Sequence, residues 1–136
     1  MARATIWWLA AALLVGCDER ERLTFPSTGP GGGAEDDVGP VTTISTPSAD
    51  SVLTEGHPFI VSGQTVDANG VDTVYFDAEG ANQSFLPFAG NGEHTVDFGL
   101  PLSTGGRGGE TIEIRVYGVD LLGNRGEGVT RRLSVE

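Results

Sequence analysis

One thiol, two imidazoles and nineteen carboxylates are the groups with which this 136-residue chain could do covalent or acid–base chemistry. The imidazoles are not set in a catalytic pattern. His57 precedes Pro58 in an expected loop and His94 opens an expected strand, and neither lies in a GxSxG elbow or an HExxH zinc motif. The run Gly105-Gly106-Arg107-Gly108-Gly109 lacks the Lys-Ser/Thr of a phosphate loop and leads into a strand, so it reads as an inter-strand loop. These absences predict a chain that is not an enzyme and carries no catalytic residue.

Two non-covalent constellations remain. Asp67, Asn69 and Asp72 crowd one turn, and Asp120 and Asn124 crowd another. If the two turns meet, their oxygens could hold Ca²⁺, which takes six to eight oxygen ligands. The same residue types also stabilise turns by accepting backbone N–H bonds, and that reading is favoured, so no cofactor is expected. The second constellation is Tyr75, Tyr117, Arg115 and Arg132, with Thr73, Glu113 and Thr130 between them. Tyr and Arg are the types enriched at interface hot spots. The same residues also make an ordinary solvated face on which they cover apolar stems, and that reading is favoured.

The elements that must position these residues are strands. From Pro40 onward, short segments rich in Val, Ile, Thr, Phe and Tyr alternate with Gly/Asn/Asp/Pro turns, and no 3.6-residue apolar period persists. Seven strands are expected, at 41–46, 58–66, 71–78, 83–88, 93–100, 110–119 and 127–135. Val96, Phe98 and Leu100 share one face opposite Thr95 and Asp97; Ile112, Ile114 and Val116 share one opposite Glu113, Arg115 and Tyr117. One wet and one dry face per strand predicts antiparallel sheets packed on a single core, an all-β sandwich. Asn91-Gly92 suits a hairpin turn. Arg131 falls in register with the inward-facing Val129, Leu133 and Val135, which predicts a bulge or an edge position.

The N-terminus has its own pattern. Arg3 is followed by ten uninterrupted apolar residues, Ile6 to Val15, too few to span a bilayer but right for a secretory signal. The run ends Leu14-Val15-Gly16-Cys17, which resembles the lipobox of bacterial lipoproteins. The resemblance implies that residues 1–16 are removed and that Cys17 becomes a diacylglycerol-bearing N-terminus, placing the protein on the cell envelope. Cys17 is the only cysteine, so no disulfide competes for it. Residues 17–39 carry Pro26, Pro30, Gly31-Gly32-Gly33 and Glu35-Asp36-Asp37 without apolar periodicity, and read as a flexible tether spanning roughly 25 Å. Asp18 resembles the signal that retains lipoproteins on the periplasmic face of the inner membrane, with the outer membrane as the alternative. After cleavage the chain would carry 19 acidic and 7 basic side chains, a formal net charge of −12. That sign makes nucleic acid and anionic headgroups poor partners.

Residues 40–136 also resemble the bacterial Ig-like domains. Pro40 to Pro47 is similar to their opening strand, Val61 to Val74 to "VxGxAxDxxGVxxV", and Tyr117 to Asn124 to the "AxDxxGN" stretch shared with fibronectin type III domains. The resemblance implies an immunoglobulin-like sandwich of about seven strands. In that fold the turns at Asp67 and Asp120 meet at the pole where the chain enters from the tether. The expected function is a membrane-tethered, non-enzymatic interaction or structural module, such as an accessory subunit docking on an envelope protein complex. Cell-surface adhesion or carbohydrate binding is the alternative, although Trp7 and Trp8 would leave with the signal.

Overall fold

The computed structural model describes residues 36–136, and among these there is no helix. Six strands follow in chain order: β1 (Val41–Thr46), β2 (Ser51–Leu53), β3 (Phe59–Glu79), β4 (Phe88–Leu102), β5 (Thr111–Asp120) and β6 (Val129–Val135). They build an immunoglobulin-like β-sandwich. Its two layers are joined through β3, which runs for 21 residues across both. Up to Val66, β3 lies between β1 and β4; after a register break between Val66 and Val71 it runs along β5, and β5 in turn pairs with β6. Two separate strands were expected here, at 58–66 and 71–78; the structure joins them without a loop.

Glycine makes that corner. Gly70, with φ +97°, faces β4 so closely that a Cβ there would come within 2.6 Å of the Gly92 carbonyl oxygen. Opposite it, Asn91 (φ 52°) and Gly92 (φ 78°) kink β4 within its own length. The expected Asn91-Gly92 hairpin turn is therefore a bulge that carries β4 from one layer to the other. Positive φ serves a bulge as readily as a turn.

Two further expectations fail for identifiable reasons. The strand expected at 83–88 does not form; residues 81–87 are irregular, and only Phe88 joins β4. The Gln83 side chain takes the place of a backbone ladder, donating to the Pro101 carbonyl and accepting from Ser103 N–H at 3.1 Å. Strand β2 was not foreseen, and it pairs with β6 in parallel, an exception to the antiparallel pattern. A three-residue strand carries too little alternation to be read from sequence.

The core is aliphatic with an aromatic contact between layers. Val61, Val71, Val74, Ile112, Ile114, Val116 and Leu133 are fully buried. Phe76, in the β5-paired part of β3, meets Phe98 of β4 edge-on, with centroids 5.5 Å apart and planes at 66°. Arg131 resolves its misfit with the apolar register. Strand β2 pairs only with Leu133 to Val135, so β6 has no strand outside it at Arg131. There the guanidinium donates to the carbonyls of Ile44, Pro47 and Ser48 at 3.1–3.3 Å, holding the chain where it leaves β1 for β2.

Candidate interaction surface

Strands β3, β5 and β6 place the Tyr/Arg constellation on one outward face. Tyr75 is the direct cross-strand partner of Tyr117, Arg115 of Thr130, and Glu113 of Arg132. The tyrosine rings stack with centroids 5.2 Å apart and planes 13° from parallel. The guanidinium carbon of Arg125 lies 3.8 Å from the Tyr117 centroid, extending the stack to a third member. Sequence reasoning missed Arg125 because it sits in the loop between β5 and β6, where no strand alternation predicts a facing.

The arginines on this face differ in how they are held. Arg132 is tied down: its Nε donates to Glu113 at 2.9 Å, and its backbone N–H donates to Asp50 at 2.9 Å. The hydrogen bond and charge of Glu113 push its guanidinium pKa still higher. Arg115 faces Asp77 across the strands yet lies instead over Gly128, where a Cβ would come within 2.4 Å of its Nε. The absent side chain at Gly128 leaves room for the guanidinium to lie there. Among the described residues neither Arg115 nor Arg125 has a carboxylate partner. Both are exposed, beside half-buried tyrosines. The face therefore offers guanidinium and phenol hydrogen-bond donors that the fold has not used.

The loop pole is built the other way. Carboxylate oxygens of Asp36, Asp67 and Asp120 lie within 4.8 Å of one another. Asp67 and Asp120 come together as expected, but Asp72 is exposed and bonds its neighbour Thr73. Asp36 takes its place, though the sequence assigns it to the tether. Asn69 and Asn124 join the cluster as donors. The Asn69 amide reaches Asp36, and the Asn124 amide reaches the Asp36 carbonyl at 2.7 Å and Asp120 Oδ2 at 2.8 Å. Asp67 accepts from Asn69 N–H at 2.8 Å, and Asp120 Oδ1 from Leu122 and Asn124 N–H at 2.9 and 2.7 Å. Burial pushes the Asp120 carboxyl up, but the bonds from Asn124, Leu122 and Gly123 outweigh it and leave the pKa below its ordinary 3.8. These are turn-stabilising bonds, and the asparagines spend amide hydrogens where calcium would want their oxygens.

The histidines serve the scaffold. His94 Nδ1 contacts the Asp67 carbonyl at 3.1 Å, and His57 Nδ1 contacts the Glu55 carbonyl at 3.3 Å. The expected signal at 1–16, Cys17, Asp18 and the tether through residue 35 lie outside the described residues.

With this geometry in view, the comparisons place the chain. The model of a family described as a bacterial Ig domain matches residues 40–114. The chain belongs to this family. The match to the bacterial Ig domain ends within β5, so Tyr117, Arg125 and Arg132 lie beyond it. A crystal structure of a mutant SrpA adhesin from Streptococcus sanguinis is 13 % identical, with a TM-score of 0.53 over 74 % of this chain and 59 % of that one. The bacterial Ig domain thus spans under two thirds of that adhesin structure, and the likeness is one of fold. Fibronectin(III)-like modules of CbhA from Clostridium thermocellum are 12 % identical, with a TM-score of 0.45 over 71 % of this chain and 96 % of that one. No curated protein matches the chain.

Proposed function

We propose that this bacterial Ig domain is a lipid-anchored, non-enzymatic interaction module of the cell envelope, tethered through Cys17 and docking a protein partner through the outer face of β3, β5 and β6. The observation that carries the docking reading is the stacked row Tyr75–Tyr117–Arg125 with Arg115 beside it. These are the residue types that dominate binding energy at interfaces, and here Tyr75, Tyr117 and Arg125 are already stacked on one another. The anchor reading rests on the Leu14-Val15-Gly16-Cys17 motif, and Asp18 favours the periplasmic face of the inner membrane. A small tethered domain suits an accessory subunit of a larger envelope complex.

Adhesion, including adhesion to glycans, is the alternative, and the SrpA neighbour is itself an adhesin. Sugar rings need an open aromatic face, and Tyr117 has given its ring to Tyr75 and Arg125. The protein-docking reading is preferred for that reason.

Extraction in mild detergent followed by identification of co-purifying proteins tests the proposal. A stoichiometric partner lost in Tyr75→Ala and Tyr117→Ala supports it. An unchanged set of partners in both variants refutes the face, and a lone monomer that binds glycans favours the alternative.

A further inference from the structure

We propose that the loop from Asp120 to Asn124 seats Leu121 and Leu122 in the surface of the membrane that carries the anchor, so that the loop pole is a second, apolar contact with lipid; this rests on the lipid-anchor reading of Cys17. Three observations converge on it.

The first is where apolar surface is left uncovered. Nine large hydrophobic side chains are exposed among the described residues, and five of them, Val38, Val41, Val66, Leu121 and Leu122, belong to the loop pole or the strand ends leading into it. Val41 and Val66 are cross-strand partners. Leu121 and Leu122 are 56 % and 64 % exposed at the tip of their loop. Clustered apolar exposure of this kind marks an interaction site, whereas single exposed residues need no explanation.

The second is rigidity. Leu121 N–H donates to the Gly70 carbonyl at 3.1 Å, Leu122 N–H to Asp120 Oδ1 at 2.9 Å, and Gly123 N–H to the Asp120 carbonyl at 3.2 Å. These bonds fix the loop backbone; Leu121 leans toward Gly92 of β4 and still keeps more than half its surface exposed, as does Leu122. The Asp120 carboxylate that fixes the loop is already buried and hydrogen-bonded, so seating the leucines need not desolvate it further.

The third is where the chain comes from. Asp36, the first described residue, is hydrogen-bonded to Asn69 and Asn124 at this same pole. Eighteen residues separate it from Cys17. Eighteen residues can reach at most about 60 Å, so an anchor at Cys17 keeps the pole within that distance of the bilayer, at an effective concentration on the order of millimolar. An apolar contact too weak to bind free protein to lipid is then enough to set orientation. The exposed carboxylates of Asp37 and Asp72 repel anionic headgroups, so the contact favours a zwitterionic surface.

The test uses the full lipidated chain in phosphatidylcholine vesicles. An environment-sensitive fluorophore is attached at Leu121→Cys and, as a control, at Ser103→Cys in the loop after β4. Quenching by lipid-borne doxyl groups should be about threefold stronger at 121 than at 103, and should weaken when half the lipid is phosphatidylglycerol. A fluorophore at Val38→Cys should lose its quenching in the Leu121→Asp/Leu122→Asp variant, whose exposed substitutions leave the fold in place. Mass analysis of the N-terminal peptide separates the two ways of failing. An unacylated Cys17 overturns the anchor and the contact together. An acylated chain whose probe at 121 is quenched no more than the one at 103 overturns the contact alone.

Discussion

On the outer face of β3, β5 and β6, Arg115 and Arg125 stand exposed beside stacked tyrosines and have no carboxylate partner among the described residues. At the loop pole, Asp67 and Asp120 are buried and bonded to backbone N–H groups and asparagine amides. By composition alone both regions were candidate binding sites, each weighed against a favoured structural reading. What separates them is whether the fold has already consumed their hydrogen-bonding capacity. A charged group satisfied inside the fold contributes stability, and one left unsatisfied at the surface is available to a partner. Arg131 and Arg125 show the same contrast within a single residue type: one clamps the β1–β2 crossing, while the other lies over a ring on the open face.

The comparison predicts large stability effects at the pole and small ones on the face. Asp120→Ala removes the acceptor that closes the 120–124 loop, and should lower Tm by on the order of 10 °C in a calorimetric scan. The pH dependence follows from the direction of the Asp120 shift. Its folded pKa lies below the ordinary value, so its contribution is complete above about pH 4 and is lost as pH falls through the lowered folded value. As pH falls below about 4, Tm should fall more steeply in the native chain than in Asp120→Asn. Equal slopes would show that the carboxylate is not held as described.

Arg131→Ala should cost about 2 kcal/mol in urea unfolding, because three carbonyls at the β1–β2 crossing lose their donor. Tyr117→Ala should cost only about 1 kcal/mol, the worth of one aromatic stack and one cation–π contact, while abolishing partner capture. Arg132→Ala should be the mildest, leaving Tm within about 2 °C, since its bond to Glu113 is a surface pair. If Tyr117→Ala unfolds the domain as strongly as Asp120→Ala, the face is structural and the contrast collapses.

Much of this contrast was legible before the structure. Alternation in β5 and β6 set Tyr117, Arg115 and Arg132 on the wet face, because a period of two assigns facing without knowledge of neighbours. Family-like turns brought Asp67 and Asp120 to one pole. Asp36 and Arg125 were not legible, since loop residues carry no period; the partners of Asp36 lie 33 and 88 residues away, and Arg125 turns back onto Tyr117 from a loop. Gln83 was hidden for a related reason: a side-chain amide standing in for a strand leaves no pattern in the backbone sequence. The fusion of two expected strands into β3 depends on close backbone approach at Gly70 and Gly92, where composition reads only as turn.

The face can be tested most directly by photocrosslinking in intact cells, with a benzophenone amino acid at Thr130 on the Tyr/Arg face and, separately, at Thr43 on the exposed side of β1. A single discrete adduct from Thr130 and none from Thr43 is the predicted result. Adducts from Thr43 alone, or none from Thr130, would contradict docking through the β3–β5–β6 face.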